Sequence, residues 1–180
     1  LHLCDRRQRQ MCIRDSYNNY PNFQNNWRIN MKSLCGADCD NCGYGKSRNC
    51  KGCNETKGSP FGKQCFIYQC IDMGGMNNYI VLKNQLIDEF NSLNIPGMPA
   101  INELYAMNGV YVNLSYRMPN GKNLKLLDDN SIYLCNQVEC EFNDGSITRC
   151  FGLVAGLDFI LVSEYGENCS NPEIVIYKRR

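Results

Sequence analysis

Seven cysteines fall between Cys35 and Cys70, in the stretch CGADCDNCGYGKSRNCKGCNETKGSPFGKQCFIYQC, and two pairs at its centre have the spacing of metal ligands. Cys39-x-x-Cys42 and Cys50-x-x-Cys53 deliver four thiolates as two close pairs. A tight turn lets the two sulfurs of one pair grip one side of a tetrahedral ion, and the second pair closes the other. Gly43 follows Cys42 and Gly52 lies inside the second pair, where the backbone turns sharply and points N–H groups at sulfur. Four thiolates leave no position for water, so the expected Zn2+ is structural rather than catalytic. Cys35, Cys65 and Cys70 remain. They can build a second site, bridge two ions, or act as buried thiols that pack as small hydrophobes.

Iron is the competing ion. Cys35-x-x-x-Cys39-x-x-Cys42 has the spacing of the iron–sulfur motif of radical S-adenosylmethionine enzymes. Those enzymes build a large barrel on that motif, and this chain is too short and lacks the alternating strand–helix pattern. Four thiolates also suit a ferredoxin-type cluster, although the Cys-x-x-Cys-x-x-Cys-x-x-x-Cys-Pro run is absent. Zinc is the expected cofactor, and an iron–sulfur cluster serving redox or electron transfer is the alternative.

Cys35-Gly36-x-x-Cys39-x-x-Cys42, then Cys50-x-Gly52-Cys53, then Cys65-x-x-x-x-Cys70 resembles the short cysteine-rich prokaryotic proteins grouped as domain of unknown function 3795, over residues 34–70. The resemblance implies a metal-binding module, with zinc as its ion, and no established activity. Members often continue with a further cysteine cluster after the equivalent of Cys70. Here that stretch is Gly74-Gly75-Met76-Asn77-Asn78, which has none and so argues against a complete second site.

Residues 1–30 read as a non-native leader without order of their own. Met11-Cys12-Ile13-Arg14-Asp15-Ser16 back-translates to a transposase adapter used in sequencing libraries. Trp27-Arg28 is encodable as a ribosome-binding purine run, with Ile29-Asn30 as spacer before Met31. The competing reading is a basic arm for nucleic acid, given Arg6, Arg7, Arg9 and Arg14. Setting these residues aside removes five basic and two acidic side chains and leaves 14 against 16, a formal charge of −2. His2 and Trp27, the only histidine and tryptophan, go with them. A chain without histidine cannot run Ser-His-Asp or Cys-His chemistry, and its zinc must take cysteine or carboxylate ligands.

The composition, 43% hydrophobic and 21% charged, allows a buried core that does not depend on disulfides. No stretch approaches the ~20 apolar residues of a membrane span. Close cysteine pairs without an export signal after Met31 read as reduced thiols in a cytoplasmic protein. Near-neutral charge argues against bulk nucleic-acid affinity. The cysteine module is nonetheless locally basic, with Lys32, Lys46, Arg48, Lys51, Lys57 and Lys63 against Asp38, Asp40 and Glu55. It is therefore also readable as an interaction module for nucleic acid or an acidic protein.

The elements that must position this module give an α+β chain: a cysteine-rich module over 31–75, then a domain over 76–180 with helices within 77–108 and antiparallel strands over 109–178. Ile80, Leu82, Leu86, Ile87, Phe90 and Leu93 form an apolar stripe at helical spacing, ended by Ile95-Pro96-Gly97-Met98-Pro99. Residues 100–107 are expected as a second, short helix. About six strands follow: 110–117 and 122–127 around Pro119-Asn120-Gly121, 132–142 and 147–155 around Asn143-Asp144-Gly145-Ser146, then 159–164 and 173–177. Glu139 and Glu141 share one strand face and read as solvated, Cys150 beside Arg149 as packing, Asp128-Asp129-Asn130 as a turn, and Cys169 as a loop thiol. No residue nominates itself as catalytic. The nucleotide sequence tests the leader: codons other than the adapter's at residues 11–16 and the purine run's at 27–28 overturn a start at Met31.

Overall fold

Alternating apolar residues from Ile132 to Tyr177 build the centre of the protein, a sheet whose two faces are covered by different partners. The computed structural model describes residues 33–35, 51–112, 114–141, 147–165 and 172–179. In chain order these form α1 (Gly52–Glu55), α2 (Phe66–Ser92), β1 (Tyr105–Asn108), α3 (Gly109–Val112), β2 (Ser115–Arg117), β3 (Asn123–Lys125), β4 (Ile132–Glu141), β5 (Ile147–Ala155), β6 (Phe159–Tyr165) and β7 (Glu173–Lys178). The main sheet has five strands in the order β1-β4-β5-β6-β7, all neighbours antiparallel, and β2-β3 forms a separate two-stranded sheet. The chain is thus α+β, with one long helix. Among the described residues no helix is long and apolar enough to cross a membrane.

Period-two alternation sorts the strand residues. Leu134, Phe151, Leu153, Ala155, Ile160 and Val162 share one face and pack against α2 through Tyr79, Leu86, Ile87 and Phe90. Tyr133, Cys135, Cys150, Val154, Leu161 and Tyr165 occupy the other, under Val112, Leu114 and Leu127. The centre of this second face is therefore apolar and covered. Ion pairs tie α2 down near both edges of the sheet. Lys83 meets Glu103 at 2.6 Å just before β1, and Arg179 grips both carboxylate oxygens of Glu89 at 2.7 and 2.8 Å just after β7.

Three departures from the sequence expectation have physical reasons. First, the helix begins at Phe66 rather than near Asn77 and is broken once, at Gly75 (φ 71°, ψ −173°), a conformation open essentially to glycine alone. Asn78 Nδ2 donates across the break to the Cys70 carbonyl at 3.0 Å. Past the break, Tyr79, seven positions before Leu86, takes the buried place in the stripe and Ile80 stays 45% exposed. Second, residues 100–107 form no helix. Asn91 donates to the Ile101 carbonyl and accepts its N–H, both at 2.9 Å, which holds the backbone extended into β1. Third, residues 110–112 turn as α3 instead of starting a strand, because buried Asn108 accepts the Val110 N–H at 3.0 Å as a helix cap does.

The hairpin at Pro119-Asn120-Gly121 is present, closed by Met118 N–H to the Lys122 carbonyl at 2.8 Å and Gly121 N–H to the Met118 carbonyl at 2.9 Å. Only Gly121 takes positive φ (80°). This hairpin stands apart over the second face instead of extending the main sheet. Phe142 and the 143–146 turn lie outside the described residues.

Phe90, fully buried between helix and sheet, is expected to cost about 3–5 kcal/mol on Phe90→Ala. Gly75→Ala is expected to cost about 1–3 kcal/mol through backbone strain alone, since nothing lies within 4 Å of an added Cβ. Urea melts followed by circular dichroism check both.

Candidate metal centre

The segment between Cys53 and Cys65 folds so that the two cysteines approach one another. Gly52 takes φ 82° and opens α1, and Thr56 Oγ1 closes its end on the Gly52 carbonyl at 2.5 Å. Gly58 then acts as a clamp. Its N–H bonds the Cys53 carbonyl at 2.9 Å and its carbonyl receives the Cys65 N–H at 2.8 Å, with two further turns at Ser59 and Gly62 between. Gly58 holds φ 80°, and a Cβ there would run into the Tyr68 ring. Glycine is required at this position both by conformation and by close approach.

Cys65 is the N-cap of α2. The N–H groups of Ile67 and Tyr68 donate toward its sulfur, and Cys53 lies close enough that a charge on either thiol is felt by the other. Burial pushes the Cys65 thiol up, those two N–H groups pull it back, and Cys53 raises it again. Two buried thiols near enough to interact electrostatically, one of them receiving helix N–H groups, are the kind of donors a thiolate-bound ion takes. Cys70, one turn further along α2, is also buried, and burial raises its thiol. Cys65, Phe66, Ile67 and Cys70 belong to the same apolar cluster as Leu86, Phe90 and the first sheet face, and Cys35 packs against that cluster.

Of the seven expected ligands, Cys39, Cys42 and Cys50 lie outside the described residues, as do Lys46 and Arg48 of the basic loop. Among the described residues, no group of three or more His, Cys, Asp or Glu is placed to hold a metal ion. None of the described cysteines is disulfide-bonded to another. The pairing of Cys53 with Cys65 was missed at the level of sequence, where Cys65 counted only as an outer thiol. Two residues pointed to it: Gly58, and the apolar run Phe66-Ile67-Tyr68 that starts a buried helix immediately after Cys65.

The other singled-out groups serve structure. Asp128 accepts the Asn130 N–H at 2.7 Å within its turn, and pairing with Lys63 holds its carboxyl below the usual carboxylate range. Lys63 is thereby withdrawn from the basic face of the module. Arg149 bonds Glu164 at 2.7 Å and stacks 5.1 Å from the Phe151 ring, on the face opposite Cys150. Cys150 packs in the second core. Glu139 is half-buried and accepts Gln137 Nε2 at 3.0 Å. Cys169 lies outside the described residues.

Cys135 has no role in this centre, and burial alone drives its thiol far above the ordinary range. A thiol raised in the folded state keeps its proton while the unfolded chain loses it, so stability falls as pH rises past about 8.5. Melting from pH 7 to 10 is expected to show a smaller decline for Cys135→Val, by up to ~1.4 kcal/mol per pH unit.

Comparison of the chain with family models, with curated proteins and with solved structures finds no match in any of the three.

Proposed function

We propose that this protein is a structural zinc-binding module fused to an α+β domain, with Cys39, Cys42, Cys50 and Cys53 as the ion's ligands and Cys65 as the thiol beside Cys53. The reading includes kinship with the cysteine-rich family named above, which rests on the motif over residues 34–70. What carries it is the approach of buried Cys53 and Cys65 across the Gly58 clamp, with helix N–H groups directed at sulfur. A thiol must release its proton to solvent before it binds a metal, and burial that raises the Cys65 thiol makes that release costlier, so binding is coupled both to proton release and to folding. Site formation contributes on the order of ten kcal/mol to folding of the segment. Four thiolates leave no open position on zinc, and this is a scaffold role.

Elemental analysis of anaerobically purified protein, with native mass, tests the assignment. One zinc per chain and no iron supports it. Two zincs draw Cys65, with Cys35 and Cys70, into the shell. Iron with sulfide, or no metal at all, overturns it. Cys53→Ser is expected to lose the ion and to lower the melting midpoint of the sheet as well, because Phe66 and Ile67 lie in the sheet's own core. Full metal content in that variant would refute the ligand set.

A further inference from the structure

Among the described residues the sheet ends on β7, and this edge is built differently from the one at β1. Val175, Ile176 and Tyr177 expose 49%, 56% and 37% of their surface in a row. Edge strands are ordinarily blunted by a central lysine, a proline or a bulge. Glu173-Ile174-Val175-Ile176-Tyr177-Lys178 carries charge only at its ends, and its register against β6 runs without a bulge. At the other edge, β1 exposes no large apolar side chain.

The open backbone groups follow from the phase of the ladder. Arg179 N–H bonds the Asp158 carbonyl at 2.8 Å, which makes that pair a hydrogen-bonded one. By alternation, Glu173, Val175 and Tyr177 bond to β6, and Ile174, Ile176 and Lys178 direct their N–H and C=O groups outward. These three positions are symmetric about Ile176. An antiparallel second copy then pairs Ile176 with its own equivalent and Ile174 with the second copy's Lys178, making about six backbone hydrogen bonds with no change of register.

The same register keeps the like charges of β7 apart. Within its own sheet Glu173 stands opposite Glu164, whose carboxylate is committed to Arg149. Like charges directly opposite one another are unfavourable. Two-fold pairing on Ile176 sets Glu173 opposite Arg179 of the second copy, a guanidinium that Glu89 already holds, rather than opposite a second carboxylate of β7. Next to it, Val175 faces Tyr177 of the second copy. On the other sheet face, a groove of about 600 Å³ between β7 and the β2–β3 hairpin is lined by Tyr116, Leu124, Leu126, Ile174 and Ile176 and continues the apolar surface up to the axis.

We propose that the protein is a two-fold dimer formed by antiparallel pairing of β7 with β7 of a second copy, centred on Ile176, so that one sheet runs through both chains. The inference is independent of the metal assignment. Sedimentation velocity and native mass on the full chain, over micromolar concentrations, are expected to show a dimer. Ile176→Lys places two ammonium groups face to face at the axis and is expected to weaken association about a hundredfold or more. Ile176 is exposed, so unchanged circular dichroism in the monomeric variant shows that the fold persists. A monomer at every concentration, a dimer indifferent to Ile176→Lys, or open-ended polymers in place of a closed dimer would each overturn the proposal.

Discussion

The burial of α2 against the first face of the sheet is the constraint on which the rest of the molecule depends. Leu86 and Phe90 are wholly inside, and the ion pairs to Glu103 and from Arg179 fix the helix near the two edges of the sheet. Because the helix starts at Phe66, its first turn brings Cys65, Ile67 and Cys70 into the same apolar cluster. The described end of the cysteine segment, at Cys65 and Cys70, is therefore part of the domain's own core. The break at Gly75 lets one continuous segment serve two alignments, one set by the cysteines and one by the sheet.

That arrangement separates cysteines whose burial is the whole of their role from cysteines whose burial has a chemical consequence. Cys135 and Cys150 fill the second core beside Leu161 and Tyr165. Cys65 is equally buried, yet it sits where Ile67 and Tyr68 offer N–H groups to its sulfur and where Cys53 is its neighbour. Burial there raises the cost of a bare thiolate, and those N–H groups offset part of it.

Much of the fold was legible because its signals were periodic. The limits of β4 to β7 emerge within a residue or two of the alternating runs, and Pro119-Asn120-Gly121 marks its hairpin from composition alone. What was not legible depended on tertiary partners. Nothing local to residues 100–107 announces that Asn91, ten positions away from Ile101, will hold that segment extended. Nothing local to Asn108 shows that it will be buried and cap a helical turn. In the candidate centre, the Cys-x-x-Cys spacing names Cys53 but not its neighbour Cys65, since that approach is made by a single glycine bonding both backbones. Ile80 was assigned to the buried stripe, but its neighbour Tyr79 takes the buried place there and Ile80 stays 45% exposed.

The two open features of the molecule lie at opposite ends of one load path. The cysteine segment is fixed to the sheet through the first turns of α2, and β7 is fixed to the same helix through Arg179 and Glu89. Any ion that organises the cysteines stabilises the start of α2, and through the shared core it stabilises the sheet whose edge is β7. The coupling runs through apolar contact rather than through a polar relay, so it is graded by how well the core packs. Metal occupancy and edge pairing are then expected to reinforce each other only to the extent that loss of the ion loosens Phe66 and Ile67. A sheet that keeps its packing without the ion would keep its edge unchanged.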